Sequence, residues 1–136
     1  MRPACLFCQI ATHQIPTNLV YEDDNFIGFL DISPVITGHT LVIPKKHFRW
    51  VHEVNKFGAF WEVAQKIAKS QLKALGAKAV VFATAGLEIH HAHIHVMPMP
   101  STTQGEYLPG VESAKRLQVT ADQLQKIATG LKKALI

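Results

Sequence analysis

The chain has 136 residues, 48% hydrophobic and 18% charged, with a formal net charge of +4. That balance excludes a disordered or collagen-like polymer and fits one globular domain over residues 1–136 with a single core. The basic pI near 9.2 favours anionic ligands such as phosphates, whereas no run of Lys and Arg exceeds two residues, so nothing marks a nucleic-acid polymer as a partner.

The opening segment MRPACLFCQIATH lacks the apolar core of a signal peptide. No later apolar run approaches the roughly 18 residues of a membrane span. A cytoplasmic protein without a membrane contact is the expectation. Cys5 and Cys8, the two cysteines, do not make a disulfide framework, and a lone C-x-x-C is half a zinc site at most. Two short strands are predicted over 19–22 and 26–31, around the turn Asp23-Asp24-Asn25. A third covers 40–43 and is ended by Pro44. A helix is predicted over 56–75, where Phe57, Phe60, Trp61, Ala64, Ile67, Ala68, Leu72 and Leu75 follow helical spacing. Asn55 is its expected N-cap and Gly76 its expected stop. A fourth strand covers 78–84, and the histidine-rich stretch after it forms a fifth. Residues 98–119 carry little pattern and are predicted to be a long loop near the site. A C-terminal helix over 120–136 starts at a capping box, Thr120 with Gln123, and its apolar stripe is Leu124, Ile127, Ala128, Leu131 and Leu135. Five strands and two segregated helices predict an α+β domain built on one mainly antiparallel sheet.

The fifth strand raises the chemical question. In EIHHAHIHVMPMP, residues 88–100, His91, His93 and His95 alternate with Ala92, Ile94 and Val96. At the histidine frequency of this chain, roughly 0.03 such triplets arise by chance. On a strand, residues i, i+2 and i+4 share a face, so three rings line up while the apolar residues enter the core. Three successive rings can hardly share one metal, because the outer Cα atoms are about 13 Å apart on a straight strand and zinc–nitrogen bonds are only about 2 Å. A neutral imidazole, by contrast, is a nucleophile toward phosphorus when one nitrogen holds the proton and the other presents its lone pair. His13 and His52 read as ordinary structural or surface residues.

HAHIHV, together with CLFCQI, VYEDDNF and the block GHTLVIPKKH, resembles the histidine-triad (HIT) family, in particular its Hint-like nucleotide-binding branch. The likeness runs from about Cys5 to Pro98. It implies a HIT-like fold and hydrolysis or transfer of a nucleotidyl group at an α-phosphate, through a covalent nucleotidyl-histidine. His93 would be the nucleophile, His95 would contact the phosphate and protonate the leaving group, and His91 would support the site. Asp31 would bind the ribose hydroxyls, Ile32 would lie against a purine base, and His39 would be a further site histidine. The resemblance also implies a structural zinc held by Cys5, Cys8, His47 and His91, no catalytic cofactor, and a homodimer, with the helix over 56–75 a candidate for its contact.

Three departures from the Hint-like pattern bear on the substrate. Gly86, Leu87 and Glu88 stand where Gly-Gln-Ser or Gly-Gln-Thr is usual, so Gly86 can still offer a backbone N–H to phosphate while Glu88 brings a negative charge. The preceding loop is shorter and lacks an asparagine. His90 replaces an apolar residue or tyrosine. Two competing readings follow: a HIT protein that binds nucleotide or zinc with little turnover, and a metallohydrolase using an H-x-H pair.

Overall fold

The computed structural model describes residues 4–100 and 115–135. A five-stranded sheet carries the order β1-β2-β3-β5-β4, from β1 (Leu19–Glu22), β2 (Phe26–Leu30), β3 (Thr40–Pro44), β4 (Ala79–Ala83) and β5 (Ile94–Met99). Every neighbouring pair is antiparallel. A short helix α1 (Leu6–Ala11) packs on one face, and α2 (Phe57–Leu75) and α3 (Ala121–Ala134) cover the other. The α+β class, the mainly antiparallel five-stranded sheet and the two main helices are as expected.

Period-two alternation builds the two layers. On β2, Phe26 and Leu30 enter the core beneath α2 and α3, while Ile27 and Phe29 join Phe7 and Ile10 of α1. On β3, Val42 faces the long helices, and Leu41 and Ile43 face α1. Each fully buried residue of this size removes enough apolar surface from water to contribute about 1.5–3 kcal/mol. Helix α2 lies close on the sheet at Gly28, where a Cβ would sit 2.7 Å from Ile67 Cδ1.

The helix ends follow local chemistry. Gly76 closes α2 in the left-handed region, at φ 65°, which costs glycine little. Thr120 Oγ1 accepts from the Gln123 N–H, and Gln123 Oε1 accepts from the Thr120 N–H, so the predicted capping box forms. Asn55 does not cap α2; Lys56 occupies that position without a side-chain bond.

Three further expectations change. Helix α1 was not foreseen. It is six residues long, too short for helical periodicity to show, and its start is set by Cys5, whose Sγ accepts the Cys8 N–H. Strand β5 runs through Pro98, which pairs with Val80, so the patternless segment begins after residue 99 rather than at 98. Residues 101–114 of that segment lie outside the described residues, as does Ile136, and residues 115–119 are neither helix nor strand. Finally, α2 buries Val63, Ser70 and Gln71 and leaves Phe57, Leu72 and Leu75 exposed. The apolar stripe is therefore wider than the core needs, and a glutamine replaces Leu72 at the sheet.

Candidate active site

The histidines lie on the α1 face of the sheet. Ladder pairing of β5 begins only at Ile94, so of the triplet His95 alone sits in the sheet, opposite Leu41 and Ala83. His91 and His93 precede it. Their backbone is tied to loops instead: Ala92 N–H donates to Phe48 O, and Thr84 Oγ1 donates to His93 O. The alternation survives, because Ala92, Ile94 and Val96 all enter the core under α2 and α3. The three rings sit on the other side, each almost fully buried. Phe7 of α1 stands edge-on to two of them, with centroids 5.9 Å from His91 and 5.3 Å from His93.

Backbone partners fix where each ring carries its proton, since a carbonyl oxygen only accepts and an amide N–H only donates. His93 Nδ1 is 2.8 Å from His91 O, so Nδ1–H donates, and in the neutral ring Nε2 is the unprotonated nitrogen. His91 Nε2 is 2.8 Å from Pro44 O, so its Nδ1 holds the lone pair. His39 Nδ1 accepts the Val35 N–H at 3.1 Å. Its Nε2–H therefore donates to His95 Nδ1, 2.9 Å away, and His95 is left with its proton on Nε2. The His93 and His95 rings meet at 4.9 Å between centroids, nearly perpendicular. Two neighbouring rings thus differ in what they offer: His95 an N–H donor and neutral His93 a lone pair.

Burial keeps His39, His91 and His95 neutral. It pushes His39 and His95 down to about 3, helped by the charge of Arg116 and by His93, and His91 down to about 4. Asp31 Oδ2 lies 3.9 Å from His39 Nδ1, but that contact is no ion pair, because the neutral ring already uses Nδ1 as an acceptor. Asp31 is raised above the usual carboxylate range by burial, against the pull of the Ser33 N–H and Arg116.

Cys5, Cys8, His47 and His91 come together with their ligand atoms all within 4.8 Å of one another. His91 Nδ1 is 3.3 Å from Cys5 Sγ and 3.5 Å from Cys8 Sγ, and His47 Nδ1 is 3.3 Å from Cys8 Sγ. Tetrahedral ligands at zinc bond lengths stand about 3.3–3.8 Å apart, so these four residues fit a metal. The His91 tautomer fits too: Pro44 O holds the outer nitrogen's proton and turns the lone pair toward the sulfurs, as outer-shell carbonyls do at metal sites.

The remaining predicted residues sit around the histidines. Asp31 follows β2, and its Oδ1 accepts the Ser33 N–H. Ile32 beside it is 73% exposed, an apolar surface available to a flat ligand. Gly86 adopts φ 71° and packs near Trp50, and its carbonyl accepts from Arg49 Nη1. Glu88 and His90 are exposed and line a cavity of about 870 Å³ that also borders Cys5, His47 and Arg49. Sequence reasoning missed Phe7, Arg49 and Arg116. Arg116 Nη1 donates to Ser33 O at 3.1 Å and lies 3.5 Å from Asp31 Oδ2. Phe7 sits inside the C-x-x-C segment, which gave no hint of its contact with the histidines, and no motif surrounds Arg49 or Arg116.

A sheet with neutral imidazoles on one face, next to a Cys₂His₂ cluster, is the architecture of a histidine-triad protein. The HIT domain family model matches residues 12–102, and the chain belongs to the HIT family. An uncharacterized HIT-like protein of Methanocaldococcus jannaschii is 38% identical over 101 residues, covering 69% of this chain and 78% of its own. The adenylylsulfatase HINT3 of Arabidopsis thaliana is 34% identical over 69% of this chain and 51% of its own. The crystal structure of a Zn-bound histidine triad family protein from Mycobacterium smegmatis superposes with a TM-score of 0.77 at 31% identity, over 97% of this chain and 93% of that one. No helix among the described residues is long and apolar enough to cross a membrane.

The buried neutral rings make the fold sensitive to acid. In the unfolded chain His39 and His95 take up protons near pH 6.5, whereas in the folded chain they do so only near 3. The unfolded state therefore binds more protons between those values. Stability is complete above the window and is lost as pH falls through it, by up to about 1.4 kcal/mol per pH unit for each ring. Urea unfolding at pH 7, 6 and 5 is expected to show this decline, and a His39→Asn/His95→Asn variant a flatter one. Equal slopes in both proteins would refute it.

Proposed function

We propose that the protein is a nucleotidyl hydrolase or transferase acting at the α-phosphate of purine nucleotide conjugates, such as nucleoside phosphoramidates or dinucleoside polyphosphates. The observation that carries this reading is the pairing of tautomers: unprotonated Nε2 on His93 beside Nε2–H on His95. His93 Nε2 attacks phosphorus and forms a P–N bond as the bond to the leaving group breaks. The His95 Nε2–H hydrogen-bonds the departing nitrogen or oxygen, and solvent supplies the proton that a departing amine takes up. Water then attacks the nucleotidyl-His93, the P–N bond breaks with its electron pair returning to His93 Nε2, and the nucleoside monophosphate leaves as the water's proton passes to solvent. Acid–base assistance of this kind contributes typically 10²–10⁴-fold. Asp31 receives the ribose hydroxyls on the carboxylate lone pairs left by Ser33, Ile32 lies against the base, and Gly86 offers its N–H to the phosphate. His39 sets the tautomer of His95 through the contact at 2.9 Å.

A second reading, a nucleotide- or zinc-binding protein with little turnover, draws on exposed Leu87 and Glu88, where the Hint-like pattern has polar phosphate contacts. A nucleoside phosphoramidate assay separates the two. Wild type is expected to turn over, and His93→Ala to lose on the order of 10³-fold or more, with a nucleotide on residue 93 in rapidly quenched wild type. Equal rates in both proteins would reject the role of His93.

The Cys₂His₂ cluster is proposed to hold a structural zinc, which would tie α1 to the approach of β5. Metal analysis should find about one zinc per chain. A Cys5→Ser/Cys8→Ser variant is expected to lose it and to melt about 10 °C lower, the scale of a few kcal/mol of ligand-linked stability. Turnover should persist in chelator as long as circular dichroism shows a folded domain. Loss of turnover with the fold intact would favour metal-based hydrolysis.

We also propose a homodimer. Strand β4 pairs only with β5 among the described residues, and an open strand edge is a template for another chain. Next to it Phe57, Trp61 and Phe82 form a run of rings with centroids 6.3 and 6.0 Å apart, and Phe57 and Phe82 are 47% and 42% exposed. Light scattering is expected to give twice the chain mass for wild type and the single-chain mass for Phe82→Glu. A monomeric wild type would end this proposal.

A further inference from the structure

We infer that Gln71, on the far side of the sheet from the histidines, is a positioning residue for the His39–His95 pair; this rests on the reaction proposed above. Gln71 belongs to α2 and is wholly buried. Its Nε2 donates to Gly38 O at 3.1 Å and to Val96 O at 3.0 Å, with Thr40 Oγ1 at 3.3 Å. Gly38 and Thr40 flank His39 in the chain, and Val96 follows His95. One amide group therefore joins the backbone on both sides of the β3–β5 seam at the end of its ladder, behind the two rings.

The register shows why a bridge is needed there. The β3–β5 ladder ends with Thr40 opposite Val96. Beyond it the chain turns through Gly38, at φ 91°, and no further strand pair holds residues 38–39 against β5. Gly38 O and Val96 O are both acceptors and supply no bond to each other. The Gln71 NH₂ group has two protons and joins them. The opposite amide orientation would set Oε1 against two carbonyl oxygens, so the orientation is dictated. It leaves Oε1 buried without a partner among the described residues. A group kept at that cost has a function that a leucine at the same place could not serve.

On the other face, the His39–His95 contact is a single bond of 2.9 Å. It transmits the Val35 N–H to His95 and so decides which His95 nitrogen carries the proton. A shift of β3 against β5 by a fraction of an ångström lengthens it past hydrogen-bond range and frees His95 to exchange tautomers. Substrate contacts at Asp31 and Ile32 do not pass through this bond. Loss of Gln71 should therefore lower kcat and leave KM nearly unchanged.

The test uses the full chain with Gln71→Met, which matches volume and removes both donors, and Gln71→Glu, which as a buried neutral acid keeps one O–H donor. Imidazole ¹⁵N spectra without substrate are expected to show His39 and His95 as single Nε2–H tautomers in wild type, and His95 averaging between tautomers in Gln71→Met. On a nucleoside phosphoramidate, kcat should fall about tenfold with KM within about twofold, the scale of a small misplacement at a reacting group. Gln71→Glu should fall between. Wild-type tautomers and kcat in folded Gln71→Met would overturn the inference. If Gln71→Met does not fold, Gln71→Glu decides alone, and unchanged spectra and kcat overturn it in the same way. If wild type itself shows no turnover, the proposed reaction fails, while the spectra still decide the role of Gln71.

Discussion

A carbonyl oxygen accepts and an amide N–H donates, and neither can exchange roles. From that constraint the whole site takes its polarity. Val35 N–H, His91 O and Pro44 O each face one imidazole nitrogen, and each settles which nitrogen of that ring holds the proton. An imidazole in water chooses between two nearly equal tautomers and, near neutrality, between charged and neutral forms. Here burial removes the charged form of His39, His91 and His95, and the backbone removes the second choice. The result is a set of rings prepared for different tasks, although they are chemically identical residues: a lone pair on His93 Nε2, a donor on His95 Nε2, and a metal-facing lone pair on His91 Nδ1.

The apolar layers exist, for this purpose, to hold that backbone still. Ala92, Ile94 and Val96 plug into the core under α2 and α3, while Phe7 and Ile10 press from the other side with Phe29 and Leu41. Interiors packed at this density do not accommodate shifts of even a methylene without strain. A ring hydrogen bond of 2.9 Å depends on that rigidity, because it weakens steeply with small changes of distance and angle.

Much of this was legible in the residues. The first four strands fall within one position of their expected bounds, the fifth starts three residues later than the histidine run implied, and the Thr120–Gln123 box marked the start of α3. The alternation of His91, His93 and His95 correctly placed their rings opposite Ala92, Ile94 and Val96. The resemblance carried Cys5, Cys8 and His47 to His91, where spacing alone offered half a site. What stayed hidden has a common cause. Phe7, Arg49, Arg116 and Gln71 act through contacts between residues tens of positions apart in the chain, which no local pattern reveals, even for Phe7 inside the C-x-x-C segment. The stripe of α2 misled for a related reason. Leu72 has the better hydrophobic credentials, but the sheet at that point presents carbonyl groups, and a buried carbonyl needs a donor, which Gln71 supplies to Val96 O and, together with Thr40 Oγ1, to Gly38 O.

His91 serves two masters with two separate parts of itself. Its ring faces the sulfurs, and its peptide oxygen holds the His93 proton. Every amino acid brings the same peptide oxygen, so the second duty makes no demand on side-chain identity. The cysteines and the ring at this position can therefore change while the backbone oxygen still orients His93, provided some other packing keeps the local chain path. Under the proposed function, metal binding and the proposed nucleophile are separable by substitution.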